Sequence, residues 1–297
     1  MSLKSVFDTM KRGGIVSRLE EYQLSKQDKD NDRAFNVNAP SAIGGCLRAR
    51  YFGRKGLSRD RINARTQRIF DNGTHVHLRL QEDLKNAGIL LMDEVPVFNS
   101  YYQIQGHTDG ILQLDGDELA VLEIKSINSR DFEVLKKEHD SHRSQGLCYL
   151  YCLEEHRNSL RKEYPRRQSF AFSRSIRKKV YATMYQHLQG GSKFTREEKI
   201  DFQVNLHLEL DTILYYAKKP LTKVIFLYEN KNTQELKEFT VSTEDEGAEE
   251  TISEFLEECK ELNQCVLIDQ VPNRPVGMRK TEAPCRWCSF KDDCFVV

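Results

Sequence analysis

Three β-prone runs occupy residues 92–98, 101–114 and 118–126. Asp115-Gly116-Asp117 separates the second from the third. That tight-turn signal predicts an antiparallel hairpin. Upstream, Ile69, Phe70, Val76, Leu80 and Leu84 are spaced along residues 61–85 as one face of a long amphipathic helix, with Gly73 as its weak point. Ser41 reads as the cap of a helix over 42–52 that Gly53 and Gly56 end. Downstream, residues 132–155 have helical composition, 221–228 and 236–241 form a second hairpin-like pair, and 244–262 read as a helix. Residues 1–40 are polar and charged, an N-terminal helical and mobile segment. Residues 156–219 read as an inserted helical region, and 271–275 as proline-punctuated loop. No internal repeat or low-complexity tract interrupts this order.

Composition narrows the class. The 297 residues are enough for one large domain or two small ones, and 39% hydrophobic with 30% charged residues is a globular balance rather than a disordered one. The longest apolar runs, such as Val224-Ile225-Phe226-Leu227, are far too short to span a bilayer. Lys11 and Arg12 follow the first residues with no apolar stretch between, so no secretory signal and a cytoplasmic location are expected.

Lysine plus arginine balances aspartate plus glutamate at 45 each. Attraction to nucleic acid must therefore come from clusters. One holds Arg48, Arg50, Arg54 and Lys55; a second spans 157–179 and includes Arg157, Arg161, Arg166, Arg167, Arg177 and Lys178. Both are candidate phosphate-binding surfaces. Tyr149, Tyr151, Phe170, Phe172 and Trp287 could stack on unpaired bases, although a core position suits each better.

The hairpin carries the chemistry. Glu123 and Lys125 are two apart on one strand and share a face, and pairing can bring Asp109 of the neighbouring strand beside them. Two converging carboxylates make a poor core but suit a hard divalent cation. Such an ion polarises a phosphodiester and acidifies water, while the lysine can orient the attacking water or stabilise developing charge.

Gly106-His107-Thr108-Asp109 followed by Glu123-Ile124-Lys125-Ser126 resembles the second and third motifs of the RecB-like branch of PD-(D/E)XK nucleases. Gly73-Thr74-His75-Val76-His77 resembles the same family's G-x-x-x-H helix, and Gln145-Gly146-Leu147-Cys148-Tyr149 its Q-x3-Y motif. The branch's frequent proline before the aspartate is missing. The resemblance implies an α/β restriction-endonuclease-like core, a central mixed sheet flanked by helices. It also implies His77, Asp109, Glu123 and the Ile124 carbonyl as ligands of Mg²⁺ or Mn²⁺, with Lys125, Gln145 and Tyr149 completing the catalytic set. Gln145 and Tyr149 are expected on one helical face at the rim of the site.

Eight cysteines without a signal peptide argue against disulfides. Cys285, Cys288 and Cys294 form C-x2-C-x5-C near the end, and Cys46 stands alone near the start. Four thiolates can hold zinc or a [4Fe–4S] cube, and spacing alone does not separate them. RecB-like nucleases with this pattern, the CRISPR adaptation nucleases and AddB-type subunits, carry the cube, which makes zinc the runner-up. Either would close a loop of about 240 residues as a staple. Cys148, Cys152, Cys259 and Cys265 read as small buried side chains.

The resemblance thus implies one nuclease domain over 41–297, with the insertion at 156–219 and an iron–sulfur module of Cys46 plus 285–294. The expected activity is hydrolysis of DNA by an exonuclease acting on ends or single strands in recombination, repair or replication. A CRISPR adaptation nuclease and a non-catalytic DNA-binding subunit are the alternatives. No G-x4-G-K-[ST] loop is present, so unwinding would fall to a helicase, recombination or CRISPR protein partner.

Overall fold

The computed structural model describes residues 14–26, 36–57, 62–163, 212 and 215–296. Among them the chain runs α1 (Ile15–Lys26), α2 (Leu47–Arg54), α3 (Ala64–Asn86), β1 (Leu90–Asn99), β2 (Ile104–Gln113), β3 (Leu119–Ile127), α4 (Ser129–Val134) and α5 (Asp140–Glu163). It continues through β4 (Leu221–Asn230), β5 (Leu236–Ser242), α6 (Ala248–Leu267) and α7 (Lys291–Val296). The strands form one five-stranded sheet in the order β1-β2-β3-β4-β5. Only the β3–β4 pair is parallel. A parallel neighbour needs a crossover rather than a turn, and the chain from α4 to β4 supplies it.

Alternation along β3 explains the layers. Leu119 and Val121 join the core under α5, whereas Ala120, Leu122 and Ile124 join Val76 and Leu80 of α3. All six residues from Leu119 to Ile124 are buried, as a strand covered on both faces requires. Each large aliphatic side chain buried this way stabilises the fold by about 1.5–3 kcal/mol. At the β2–β3 connection Gly116 adopts φ +74°, a left-handed conformation that glycine takes without strain.

Gly146 matters for a different reason. A Cβ there would lie 2.6 Å from Phe226 Cζ and 3.1 Å from Val224 Cγ2, so only glycine lets α5 approach β4 this closely. Asn63 caps α3, its Oδ1 accepting from Thr66 N at 2.9 Å.

Three expectations change. The first helix begins at Leu47, not at 42: Ser41 sits in a 3-10 turn (Pro40–Ala42), and Gly44 at φ +75° breaks the chain's path before Cys46. The helix expected over 132–155 divides into α4 and α5, and α5 runs on through 156–163. Within that extension Arg157 Nε donates to the Tyr216 carbonyl at 3.0 Å, and Arg161 also binds back, to the Ala217 carbonyl. These two members of the basic cluster therefore serve the fold. Arg166, Arg167, Arg177, Lys178, Phe170 and Phe172 lie outside the described residues. Among the described residues no helix is long and apolar enough to cross a membrane.

Candidate active site

The β2–β3 ladder runs from Gln113↔Leu119 to Gly110↔Leu122 and stops there. One further step would set Asp109 opposite Glu123. Instead the strands part, and the Asp109 carboxylate replaces the missing backbone acceptor: its Oδ2 receives the Ile124 N–H at 2.6 Å. A donor left by the end of the ladder is thereby satisfied. The other oxygen, Oδ1, is 2.9 Å from His77 Nδ1. One turn along α3, buried Gln81 donates to the Asp109 carbonyl at 2.8 Å and to Glu94 at 3.0 Å. Asp109 is therefore held by both its side chain and its backbone.

Glu123 and Lys125 project to the α5 side of β3. Lys125 Nζ donates to Glu123 Oε1 at 2.7 Å and to Gln145 Oε1 at 2.9 Å. Gln145 Nε2 donates to Glu123 Oε1 at 2.9 Å and to Tyr149 Oη at 2.6 Å. The result is a closed triangle of carboxylate, ammonium and amide, with no acceptor for the third ammonium proton among the described residues. Gln145 and Tyr149 are buried, not at a rim. Tyr149 braces Gln145 from behind, because their side chains share the inward face of α5.

Electrostatics at this fork favour a cation. Burial, and then repulsion from Asp109, outweigh the Lys125 ammonium and push Glu123 up to about 7. Burial lowers the His77 pKa, yet the hydrogen bond and charge of Asp109 and the charge of Glu123 raise it further, for a net increase. Both shifts favour protons on these groups, where carboxylates crowd a space of low dielectric. A divalent cation would replace those protons, and the oxygen-rich donor set with one imidazole suits Mg²⁺ or Mn²⁺. As the side chains stand, His77 and Asp109 face each other directly. Among the described residues, no three His, Cys, Asp or Glu side chains converge closely enough to hold an ion.

The cysteines show a second gathering. Burial raises the Cys288 thiol pKa, a backbone N–H from Phe290 lowers it, and the nearby Cys46, Cys294 and Cys285 raise it again. Phe290 N donates to Cys288 Sγ at 3.4 Å and Arg48 Nε to Cys294 Sγ at 3.2 Å. Cys46 enters as the residue preceding α2, and Phe52 of α2 packs on Phe290 at 6.1 Å between ring centroids. Cys148, Cys152 and Cys259 are buried and Cys265 is half-buried.

The expected phosphate surface on α2 is not available. Arg48, Arg50 and Arg54 are buried, with relative exposures of 5%, 8% and 4%. Arg48 donates to the Pro272 and Cys294 carbonyls, Arg50 pairs with Glu258 at 2.7 Å, and Arg54 binds Asn38, Asn263, Asn36 and Gln103. They knit the start of the chain to its end. Lys55 is one-third exposed but pairs with Asp269 at 2.7 Å. Trp287, by contrast, is 74% exposed, with the Arg286 guanidinium 4.3 Å from its ring centroid.

Sequence reasoning missed Gln81, His142 and Tyr228. Gln81 could have been found four residues after His77, on the same helical face. Tyr228 could not, because only the parallel register sets it beside Lys125.

Among curated proteins nothing matches this chain. A solved structure, the crystal structure of SSO0001, is similar over 94% of this chain and 95% of its own, at 16% identity and a TM-score of 0.44. That likeness is too loose to carry any argument. The family model described as PD-(D/E)XK nuclease superfamily matches residues 56–295, a span that includes the fork, its α3 and α5 supports and the C-terminal cysteines. The chain belongs to the PD-(D/E)XK nuclease superfamily, whose members are mostly nucleases that use Mg²⁺ or Mn²⁺.

Proposed function

We propose that this protein is a Mg²⁺- or Mn²⁺-dependent deoxyribonuclease of the RecB-like branch, an exonuclease acting on DNA ends or single strands. The observation that carries the reading is the fork where β2 and β3 part. There Asp109 takes the Ile124 N–H, Glu123 lies close enough to feel the Asp109 charge, and Lys125 is fixed by Glu123 and Gln145. His77, Asp109, Glu123 and the Ile124 carbonyl would hold the ion. When bound, the ion supplies the charge that polarises the phosphodiester and acidifies a water. Lys125 orients that water with its third N–H and stabilises charge developing on the phosphate. Gln145, braced by Tyr149, keeps the ammonium aimed. His77 and Gln81 hold Asp109 against the open end of the strand pair.

We further propose that residues 1–40 are an N-terminal segment outside a nuclease domain over 41–297, and that Cys46, Cys285, Cys288 and Cys294 bind a [4Fe–4S] cluster as a structural staple, with zinc as the competing occupant. The nearness of Cys46, Cys285 and Cys294 to the Cys288 thiol and the N–H donors aimed at Cys288 and Cys294 support this reading. Reduced thiols throughout fit a cytoplasmic protein. Digestion of end-labelled single- and double-stranded DNA tests the activity. The parent chain degrades DNA with Mg²⁺ or Mn²⁺ and stops on chelation, and Glu123→Ala leaves the label intact. Equal product from both proteins would remove the catalytic assignment.

A further inference from the structure

Beside Lys125 stands a cluster that the reaction outlined so far does not use. Tyr228 is the β4 neighbour of Lys125 in the parallel register, and its side chain rises on the same face, under the start of α5. His139 N donates to the Tyr228 hydroxyl at 3.2 Å, and His142 Nδ1 lies 2.6 Å from that oxygen. The His139 ring packs edge-on against His142, with centroids 5.2 Å apart. His142 is one helical turn before Gln145 on α5, so it faces the same side of the sheet as the Glu123–Lys125–Gln145 triangle.

Hydrogen-bond accounting fixes the proton. The Tyr228 hydroxyl already accepts from the His139 N–H, and among the described residues its own proton has one acceptor within reach, His142 Nδ1. Nδ1 is therefore a lone pair, and the imidazole proton sits on Nε2. The ring stays neutral: burial, the Lys125 ammonium and His139 together drive its pKa down to about 3. Nε2 has no partner among the described residues and is not one of the sealed, unsatisfied polar atoms. A neutral N–H donor thus stands open beside an ammonium and near the N-terminus of a long helix, where the local field favours an anion.

We propose that His142 is a substrate-binding residue. Tyr228 locks it with the proton on Nε2, from which it donates to a non-bridging oxygen of a DNA phosphate beside Lys125. The lock has a second effect. With Nδ1 occupied and Nε2 protonated, His142 offers no lone pair and does not compete with His77 for the ion. The proposal rests on the nuclease reading, and Tyr228 enters as a positioning residue acting through His142.

Two readouts test it. Nitrogen NMR of the parent chain labelled in its imidazoles, with the His142 signals assigned by their loss in His142→Gln, should show a bare Nδ1 and a protonated Nε2 at neutral pH. Tyr228→Phe should release the ring to a mixture of tautomers. With a labelled single-stranded oligonucleotide and Mn²⁺, His142→Ala should raise KM about tenfold and change kcat less than about threefold, as loss of one hydrogen bond to a charged phosphate implies. His142→Gln, whose amide N–H reaches the Nε2 position, should recover most of the lost KM. A proton on Nδ1, or an unchanged KM in His142→Ala, overturns the proposal. The nitrogen readout on the parent chain stands even if His142→Ala fails to fold. Should the parent not cleave DNA, the nuclease reading fails separately. Anisotropy binding of the same oligonucleotide then decides His142, with equal affinity in parent and variant, or no binding by either, counting against it.

Discussion

The fork between β2 and β3 and the cysteine gathering at the chain's ends are both candidate ion sites, but they are built in opposite ways. At the fork the functional groups sit on adjacent strands of one hairpin, and strand register sets their separation. At the cysteines, Cys46 is brought near the C-x2-C-x5-C run by contacts distant in sequence, with buried arginines of α2 binding residues more than two hundred positions away. The fork's groups are crowded, which raises the pKa of its Glu123 carboxylate and of its His77 imidazole. The cysteines lie near the surface, Cys46 exposed and the others half-buried, with hydrophobic contact supplied by Tyr51, Phe52, Leu262 and Phe290. A site carried by a rigid sheet can be lost chemically without unfolding the protein. One carried by the chain's ends is coupled to stability.

Substitutions should separate the two. Asp109→Ala and Glu123→Ala should each reduce cleavage by about 10³-fold or more, since each removes an oxygen ligand and its charge, while the fold survives: relief of carboxylate repulsion offsets part of the cost of leaving the Ile124 N–H or the Lys125 ammonium without its partner. Cys285→Ser or Cys288→Ser should do the reverse. Iron content falls, thermal stability drops by about 2–4 kcal/mol if a staple is lost, and residual activity at low temperature persists. Arg48→Ala should cost about 2–3 kcal/mol, because buried carbonyl and sulfur partners lose a charged donor. Its affinity for DNA, measured on folded protein, should change little, whereas an exposed phosphate ligand would have shown weaker binding and a shallower salt dependence.

Much of the fork was legible because it depends on local rules. Alternation set Glu123 and Lys125 on one face, and Asp115-Gly116-Asp117 announced the turn that brings Asp109 back to them. The sequence also marked the helices that carry His77 and Gln145. It did not show that β4 lies parallel beside β3, which is what places Tyr228 next to Lys125. Nor did it reveal the fate of Arg48, Arg50 and Arg54. A run of arginines reads as a charged surface until partners such as Glu258, Asn263 and Pro272 are known, and those are distant in sequence. Ser41 looked like a helix cap, but the Gly44-Gly45 pair postpones the helix to Leu47.

Smaller effects sharpen the contrast within the sheet. Gly146→Ala forces a methyl against Phe226 and Val224, and should destabilise by about 1–3 kcal/mol. Its activity should fall as Gln145 moves off Lys125. His142 sets a pH signature. Its folded pKa of about 3 lies below the unfolded value near 6.5, so its contribution to stability is full above about pH 6.5 and is lost progressively as pH falls toward 3. Denaturant titrations at pH 7.5 and 5 should therefore show a smaller acid-induced loss of stability in His142→Gln than in the parent, and an equal loss would place the acid sensitivity elsewhere.

Calorimetric titration of Mn²⁺ into the metal-free protein probes the claim that Asp109 and Glu123 grip one divalent ion. The parent should bind one ion at the fork, and Asp109→Asn and Glu123→Gln should each weaken that binding by about tenfold or more, in proteins that melt no lower than the parent. Undiminished affinity in both variants would contradict the account.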